Sequence, residues 1–259
     1  MTRSKKTGRP TLVDIASEKI RDRILDLTLA PGTQIDEAFL REQLGISRTP
    51  AREALSRLVT EGLVENARGF FVRPLDLRET AQFFDAYMIV ERSSATLCRF
   101  ANANLVDDLT TIQKKHRTSV SADAFLDITK HNADFHLRIA RATENEFLYE
   151  YAIRIHNLAR RLAFFVYAHE SEDTAYFKDQ QDSVVNEHDG MIDCIARADR
   201  PGLVAVTVDH AERLRTRIAS HVAGSPREVF DNIVGVSAGK AREKAREKAR
   251  VVAIEGGKL

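Results

Sequence analysis

Tryptophan is absent from this chain of 259 residues, cysteine occurs only twice and methionine three times. Cys98 and Cys194 are far apart and follow no ligand spacing, which excludes a disulfide framework. They read as reduced, buried thiols of a cytoplasmic protein. No stretch approaches the roughly 18 consecutive apolar residues of a membrane span. The first ten residues, MTRSKKTGRP, are basic with no apolar run behind them, so they do not read as a secretory signal. Helix breakers are also scarce: between residues 76 and 222 the only proline is Pro201 and the only glycines are Gly190 and Gly202. Strand alternation is missing there too, so the greater part of the chain reads as helix after helix.

Net charge is nearly absent at +1, but it is unevenly spread. Residues 1–75 hold 13 Lys+Arg against 10 Asp+Glu (+3), residues 76–239 hold 19 against 25 (−6), and residues 240–259 hold 7 against 3 (+4). A basic first segment ahead of an acidic body suggests that the first segment is the part that approaches a polyanion.

That segment has a recognisable order. Ile20, Ile24 and Leu27 mark one face of a helix over about Leu12 to Leu29, ended by Ala30-Pro31-Gly32. Asp36 is placed to cap a short second helix, Glu37 to Leu44, with Phe39, Leu40 and Leu44 inward and Gly45 as its left-handed terminator. Ser47 is placed to cap a third helix in which Pro50 suits the first turn. Arg48 and Arg52, four residues apart, project from one face, while Ala51, Leu55, Leu58 and Val59 line another. Two helices joined by a short Gly-containing turn form a helix-turn-helix, the second being the reader. Glu61-Gly62 closes the reader. Leu63-Val64-Glu65 and Phe70-Phe71-Val72 can then pair around Asn66-Ala67-Arg68-Gly69 as a wing.

PGTQIDEAFLREQLGISRTPAREALSRLVTEGLVENARGFFV resembles the winged helix-turn-helix of the GntR family of bacterial transcription regulators over residues 12–75. The resemblance implies DNA contacts from Ser47, Arg48, Thr49 and Arg52 in the reading helix and from Arg68 and Gly69 in the wing. Two departures concern Ala38, where members often carry Arg, and Arg41, where they often carry Ala. The arm over residues 1–11, with Arg3, Lys5, Lys6 and Arg9, reads as a solvated terminus.

In the body, helices are expected from about Phe83, then over 105–120, 122–142, 145–170, 179–198 and 201–222, as an antiparallel bundle. The fold class is therefore mainly α: an N-terminal winged helix-turn-helix followed by a helical bundle over residues 78–222. The remaining residues, 223–259, contain KAREKAREKAR and read as a frayed basic tail.

Of eight histidines, His116, His156, His169 and His221 read as ordinary surface or core residues, and His131 has no assigned role. Three others have a context. Asn132 and His136 share a helix face. His188 and His210 are 22 positions apart, on either side of the break at Asp199-Arg200-Pro201-Gly202. They lie about 11 and 8 residues from that turn, so at about 1.5 Å per residue they sit at comparable heights on antiparallel neighbours. Imidazoles on facing helices with a side-chain oxygen suit a divalent metal such as zinc or nickel.

FHLRIARATENEFL and EHDGMIDCIARADRPGLVAVTVDHAERL are similar to motifs of the FCD domain, the effector-binding module of FadR-like GntR regulators. The resemblance implies metal ligands at Asn132, His136, His188 and His210. Members more commonly carry a carboxylate at the position of Asn132. Tyr87 stands where many members have Arg, and it would either alter effector specificity or serve as core. Together these imply a cytoplasmic, ligand-responsive repressor that binds a palindromic double-stranded DNA operator as a homodimer, with a small organic-acid effector and no membrane association. Two alternatives remain: a DNA-binding regulator with a structural metal or an empty pocket, and a metal-dependent hydrolase. Against the hydrolase, no HExxH motif occurs and no carboxylate is paired with these histidines in the sequence.

Overall fold

The computed structural model of the chain describes residues 10–74 and 77–224. The basic arm at Arg3, Lys5, Lys6 and Arg9, the KAREKAREKAR tail and the side chains of His169 and His221 lie outside the described residues. The chain divides into two compact units at Arg73 and Pro74.

The first unit opens with α1, Leu12–Leu25. Thr11 and Asp14 cap it reciprocally: the Asp14 N–H donates to the Thr11 hydroxyl at 3.1 Å, and the Thr11 N–H donates to the Asp14 carboxylate at 2.9 Å. The helix ends four residues before the expected Leu29. Asp26 accepts from the Thr28 N–H, and Leu27 takes a left-handed φ of 62°. Local side-chain bonding thus ends the helix before Pro31 and Gly32 are reached. Leu25 and Leu29 are buried, and Leu27 is only half-buried.

Helix α2, Glu37–Leu44, starts at Asp36, whose carboxylate accepts from the Ala38 N–H at 2.9 Å, and ends at Gly45 with φ 65°. Lys19 donates to the last carbonyl of α2, Leu44, at 3.0 Å. Helix α3 spans Arg48–Thr60. Ser47 sits at its N-cap with extended backbone, but its hydroxyl makes no capping bond. Ile20, Ile24, Leu40, Ile46, Ala51, Leu55, Leu58, Leu63 and Val72 close one core between the three helices and the wing. Arg21 ties α1 to the end of α3 through Glu61 at 2.7 Å.

Strands β1, Val64–Asn66, and β2, Phe70–Val72, pair antiparallel with Val64 opposite Val72 and Asn66 opposite Phe70. β1 starts one residue later than the sequence suggests. The other edge of β2 is also covered: Gly32 N–H donates to the Val72 carbonyl, Val72 N–H to Thr33 and Ile35 N–H to Phe70, at 2.8–2.9 Å. That third side, with Gln34 bridged to Phe71, anchors the wing to the loop after α1.

The second unit is α4 (Leu77–Leu97), α5 (Leu105–Ser121), α6 (Phe125–Arg141), α7 (Glu146–Glu170), α8 (Thr174–Ala196) and α9 (Arg200–Gly224). From α5 onward, short connections make consecutive helices neighbours. α5 packs on α6 and α8, α6 on α7, α4 on α7 and α9, and α8 on α9. Several turns are closed by left-handed residues other than glycine, namely Asn104, Asp123, Glu144 and Ala198. α8 begins at Thr174, earlier than its apolar periodicity indicates, because Asp173 caps it by accepting from the Tyr176 N–H while residues 174–176 remain exposed. Two apolar clusters fill the bundle, one around Phe83, Tyr87, Val90 and Leu162, the other around Cys98, Leu109, Phe135 and Met191.

Candidate functional site

In the first unit, Ser47, Arg48, Thr49 and Arg52 are exposed along the N-terminal half of α3, and Ala51, Ala54, Leu55 and Leu58 bury its opposite face. The polar stripe faces water because the apolar stripe is consumed by the three-helix core. At the wing tip Arg68 is exposed with φ 59°, and Gly69 has φ 141°. A side chain at Gly69 would be strained there and would also approach the Gln34 amide at 3.2 Å. Arg41 is exposed beside Glu42, and Ala38 is half-buried. The exposed stripe of α3 and the tip of the hairpin are the two features a winged helix-turn-helix uses on DNA.

In the second unit, His136 on α6, His188 on α8 and His210 on α9 come together, each at most 4% exposed, with their nearest ring nitrogens all within 4.8 Å of one another. Nε2 of His136 and Nε2 of His210 are 3.1 Å apart. The outer nitrogens explain which way each ring faces. His136 Nδ1 lies 2.7 Å from Glu91 Oε2, His210 Nδ1 lies 2.8 Å from Glu187 Oε2, and His188 Nδ1 lies 3.0 Å from Gln113 Oε1. These oxygens accept, so each imidazole donates from Nδ1 and turns the Nε2 lone pair inward. Among the described residues His188 Nε2 has no hydrogen-bond partner although it is buried. Three inward lone pairs repel one another and are stabilised by a cation, as at a three-histidine zinc site with outer-shell carboxylates. The residues present therefore fit a divalent metal.

Protonation agrees with this. Burial holds His136 down to about 4 despite Glu91, and burial also drives His188 well below its usual range. Burial pushes Glu91 upward, but the charge of and hydrogen bonds from His136 and His156 outweigh it and keep Glu91 ionised, well below the usual carboxylate range. Glu187 is also lowered: burial opposes this, and His210 and Arg213 prevail.

The pairing of carboxylates with these histidines, absent from any local motif, is a correction supplied by the fold. So are His116 and His156, which join the same buried layer. His156 Nε2 lies 2.9 Å from Glu91 Oε1, and its ring stacks on His136 at 5.3 Å between centroids. His116 is fully buried, neither ring nitrogen has a partner, and burial holds it down to about 3. Its ring centroid is 5.3 Å from that of His188. Phe135 stacks on His188 at 4.1 Å and Tyr87 meets His156 edge-on at 5.7 Å, so the histidine layer is walled by both apolar clusters.

A cavity of about 430 Å³, which includes space open to solvent, adjoins the layer. Asn132 and His210 line it together with Thr129, His156, Arg160, Arg213 and Arg217. Among the described residues no acidic side chain lines it. Acids stand behind the arginines: Glu187 binds Arg213 at 2.6 Å, and Glu170 binds Arg217 at 3.1 Å and through a second, closer contact. Tyr87 does not line the cavity. It is fully buried one turn before Glu91, packed against Phe83, with its hydroxyl lacking a protein partner. Asp134 is exposed, on the other side of α6 from His136.

A winged helix-turn-helix unit followed by a helical unit is the make-up of a DNA-binding regulator with a second domain. Residues 12–72 match the bacterial regulatory proteins of the gntR family, and residues 82–213 match the FCD domain. The chain belongs to the GntR family of transcriptional regulators, in the group that carries an FCD domain. It is similar to the Nta operon transcriptional regulator of Aminobacter aminovorans, 33% identical over 52% of this chain and 63% of that protein. It is also similar to the gluconate operon transcriptional repressor of Bacillus licheniformis, 28% identical over 53% of this chain and 57% of the relative. The match thus spans less than two thirds of each relative's length. Among solved structures, Escherichia coli McbR/YncC shares the fold with a TM-score of 0.67 and 17% identity, covering 82% of this chain and 98% of that one. A GntR regulator from Rhodococcus sp. RHA1 gives 0.60 and 19%, covering 83% and 99%. These families and relatives are transcriptional regulators, not enzymes. Among the described residues no helix is long and apolar enough to cross a membrane.

Proposed function

We propose that this protein is a cytoplasmic repressor that binds a palindromic operator as a homodimer and releases it when a small organic anion enters the second unit. Ser47, Arg48, Thr49 and Arg52 would read the major groove, while Arg68 and Gly69 would contact the adjacent backbone or minor groove. His136, His188 and His210 would hold a divalent metal, zinc by preference with nickel as the alternative, and Asn132 would offer a neutral oxygen from the cavity side. When bound, the cation supplies positive charge and Lewis acidity at the cavity wall. Arg160, Arg213 and Arg217 would orient the anion. Repression is the direction we assign because two relatives are named as repressors of a gluconate operon.

The observation that carries this reading is the set of three inward-facing Nε2 atoms beside a cavity lined by arginines and, among the described residues, by no acid. Elemental analysis of protein purified without added metal, followed by operator titrations with zinc, with chelator and with a panel of small carboxylates, tests it. About one equivalent of metal and weaker operator binding in the presence of one carboxylate are expected. Less than a tenth of an equivalent with no uptake of zinc, or operator binding indifferent to every carboxylate, would overturn the corresponding half.

A further inference from the structure

Two of the three inward-facing imidazoles are backed by carboxylates, but His188 is backed by an amide, and an amide has two different ends. Gln113, on α5, is 3% exposed. Its Oε1 lies 3.0 Å from His188 Nδ1, and its Nε2 lies 2.9 Å from the Val185 carbonyl and 3.3 Å from Asp189 Oδ1. A carbonyl and a carboxylate only accept, so the amide must present its NH₂ to them. The oxygen is then forced toward His188. An amide oxygen also only accepts, which places the His188 proton on Nδ1 and the lone pair on the buried, unpartnered Nε2. If the amide were reversed, an N–H would point at Nδ1, the ring proton would move to Nε2, and two oxygens would face each other at Val185.

We infer that Gln113 is the positioning residue that makes His188 a metal ligand, by holding it in the Nδ1–H tautomer through an amide whose own orientation is fixed by Val185 and Asp189. The inference rests on the reading of the three-histidine cluster as a metal site. It brings α5 into the site without a ligand of its own. Asp189 is in turn ion-paired with Arg117, so both ends of the latch come from α5 and both fasten to α8. An amide here also avoids adding a second buried negative charge to that of Glu91, with the half-buried Glu187 nearby, since only the tautomer, and no added charge, is required from this position.

The test compares Gln113→Glu with Gln113→Leu. Both lose the N–H given to Val185, but only glutamate keeps an acceptor for His188 Nδ1. Zinc affinity is measured by competition with a chromophoric chelator. The His188 tautomer is read separately from ¹⁵N-imidazole spectra of the metal-free wild-type protein. Gln113→Leu should bind zinc about 10–100-fold more weakly than wild type, and Gln113→Glu should stay within tenfold of it. The wild-type spectrum should show His188 protonated on Nδ1. Equal losses in both variants would mean that Gln113 is only a structural strut, and an Nε2–H signal for His188 would overturn the inference without any variant. Wild-type protein that binds no zinc, yet shows the Nδ1–H signal, would remove the metal reading and support the tautomer assignment.

Discussion

Removing the carboxylate of Glu91 should strand the buried His136 imidazole and take away the close contact of His156. Glu91 Oε2 lies 2.7 Å from His136 Nδ1 and Oε1 lies 2.9 Å from His156 Nε2, and all three side chains are 3% exposed or less. A buried donor left without an acceptor costs about 1–3 kcal/mol, which is the cost expected for His136 Nδ1 in Glu91→Ala. Against this, the variant no longer has to desolvate a carboxylate. In a unit of this size 1 kcal/mol moves the melting temperature by about 2–4 °C, so Glu91→Ala should melt about 2–12 °C lower. The assay is thermal unfolding of metal-free protein at pH 7.5, where His136, held near 4, is neutral. Glu91→Gln keeps one acceptor oxygen for His136 Nδ1 and should lose less. A melting temperature within about 2 °C of wild type for Glu91→Ala would refute the claim that this carboxylate holds the histidine layer together.

Further outcomes follow from the same geometry. His116 and His136 are held near 3 and 4 in the fold, against 6.5 when unperturbed. The unfolded chain therefore takes up protons first, and metal-free protein should lose stability as pH falls from about 6.5 toward 4, with Glu91 adding to the loss only below its unperturbed 4.5. Urea titrations at a series of pH values check this, and His116→Phe should flatten that acid limb without lowering stability at pH 7.5. A flat profile in wild type, or a variant with an unchanged slope, would contradict the burial argument. Arg52→Ala should weaken operator binding by about 1–3 kcal/mol at fixed salt if its guanidinium forks onto a base, and unchanged affinity in an anisotropy titration would remove it from the interface. Leu55→Ala, at a fully buried position of the first unit, should cost about 2–5 kcal/mol, visible as early unfolding of that unit.

The features that were legible in the sequence are those whose cause is local. Asp36 and Gly45 bound α2 as expected, because a cap and a left-handed terminator act on neighbouring backbone. The arginine face of α3 follows from spacing alone. His188 and His210 are paired in the sequence because they flank a single turn, and His136 joins them through the resemblance to the FCD domain. Local reading failed where side chains bend the rules: Asp26 and Leu27 end α1 before any breaker, and Asp173 starts α8 in a stretch with no apolar period. The contact of Gln34 with Phe71 was invisible because it joins a loop to a strand far along the chain.

Sequence alone determined the class of protein: a basic reading helix and wing, a breaker-poor helical body, and three histidines able to meet. These rest on periodicities of a few residues, which the backbone obeys wherever the segment lies. Only the tertiary structure decided how those histidines face one another and what backs them. Glu91, Gln113 and Glu187 reach them from helices other than their own, across as many as 75 positions of sequence. Each sets the tautomer of its partner, and a tautomer depends on a hydrogen bond whose other end no local pattern specifies. The same folding buried His116 and His156, so that five rings form one layer beside an arginine-lined cavity.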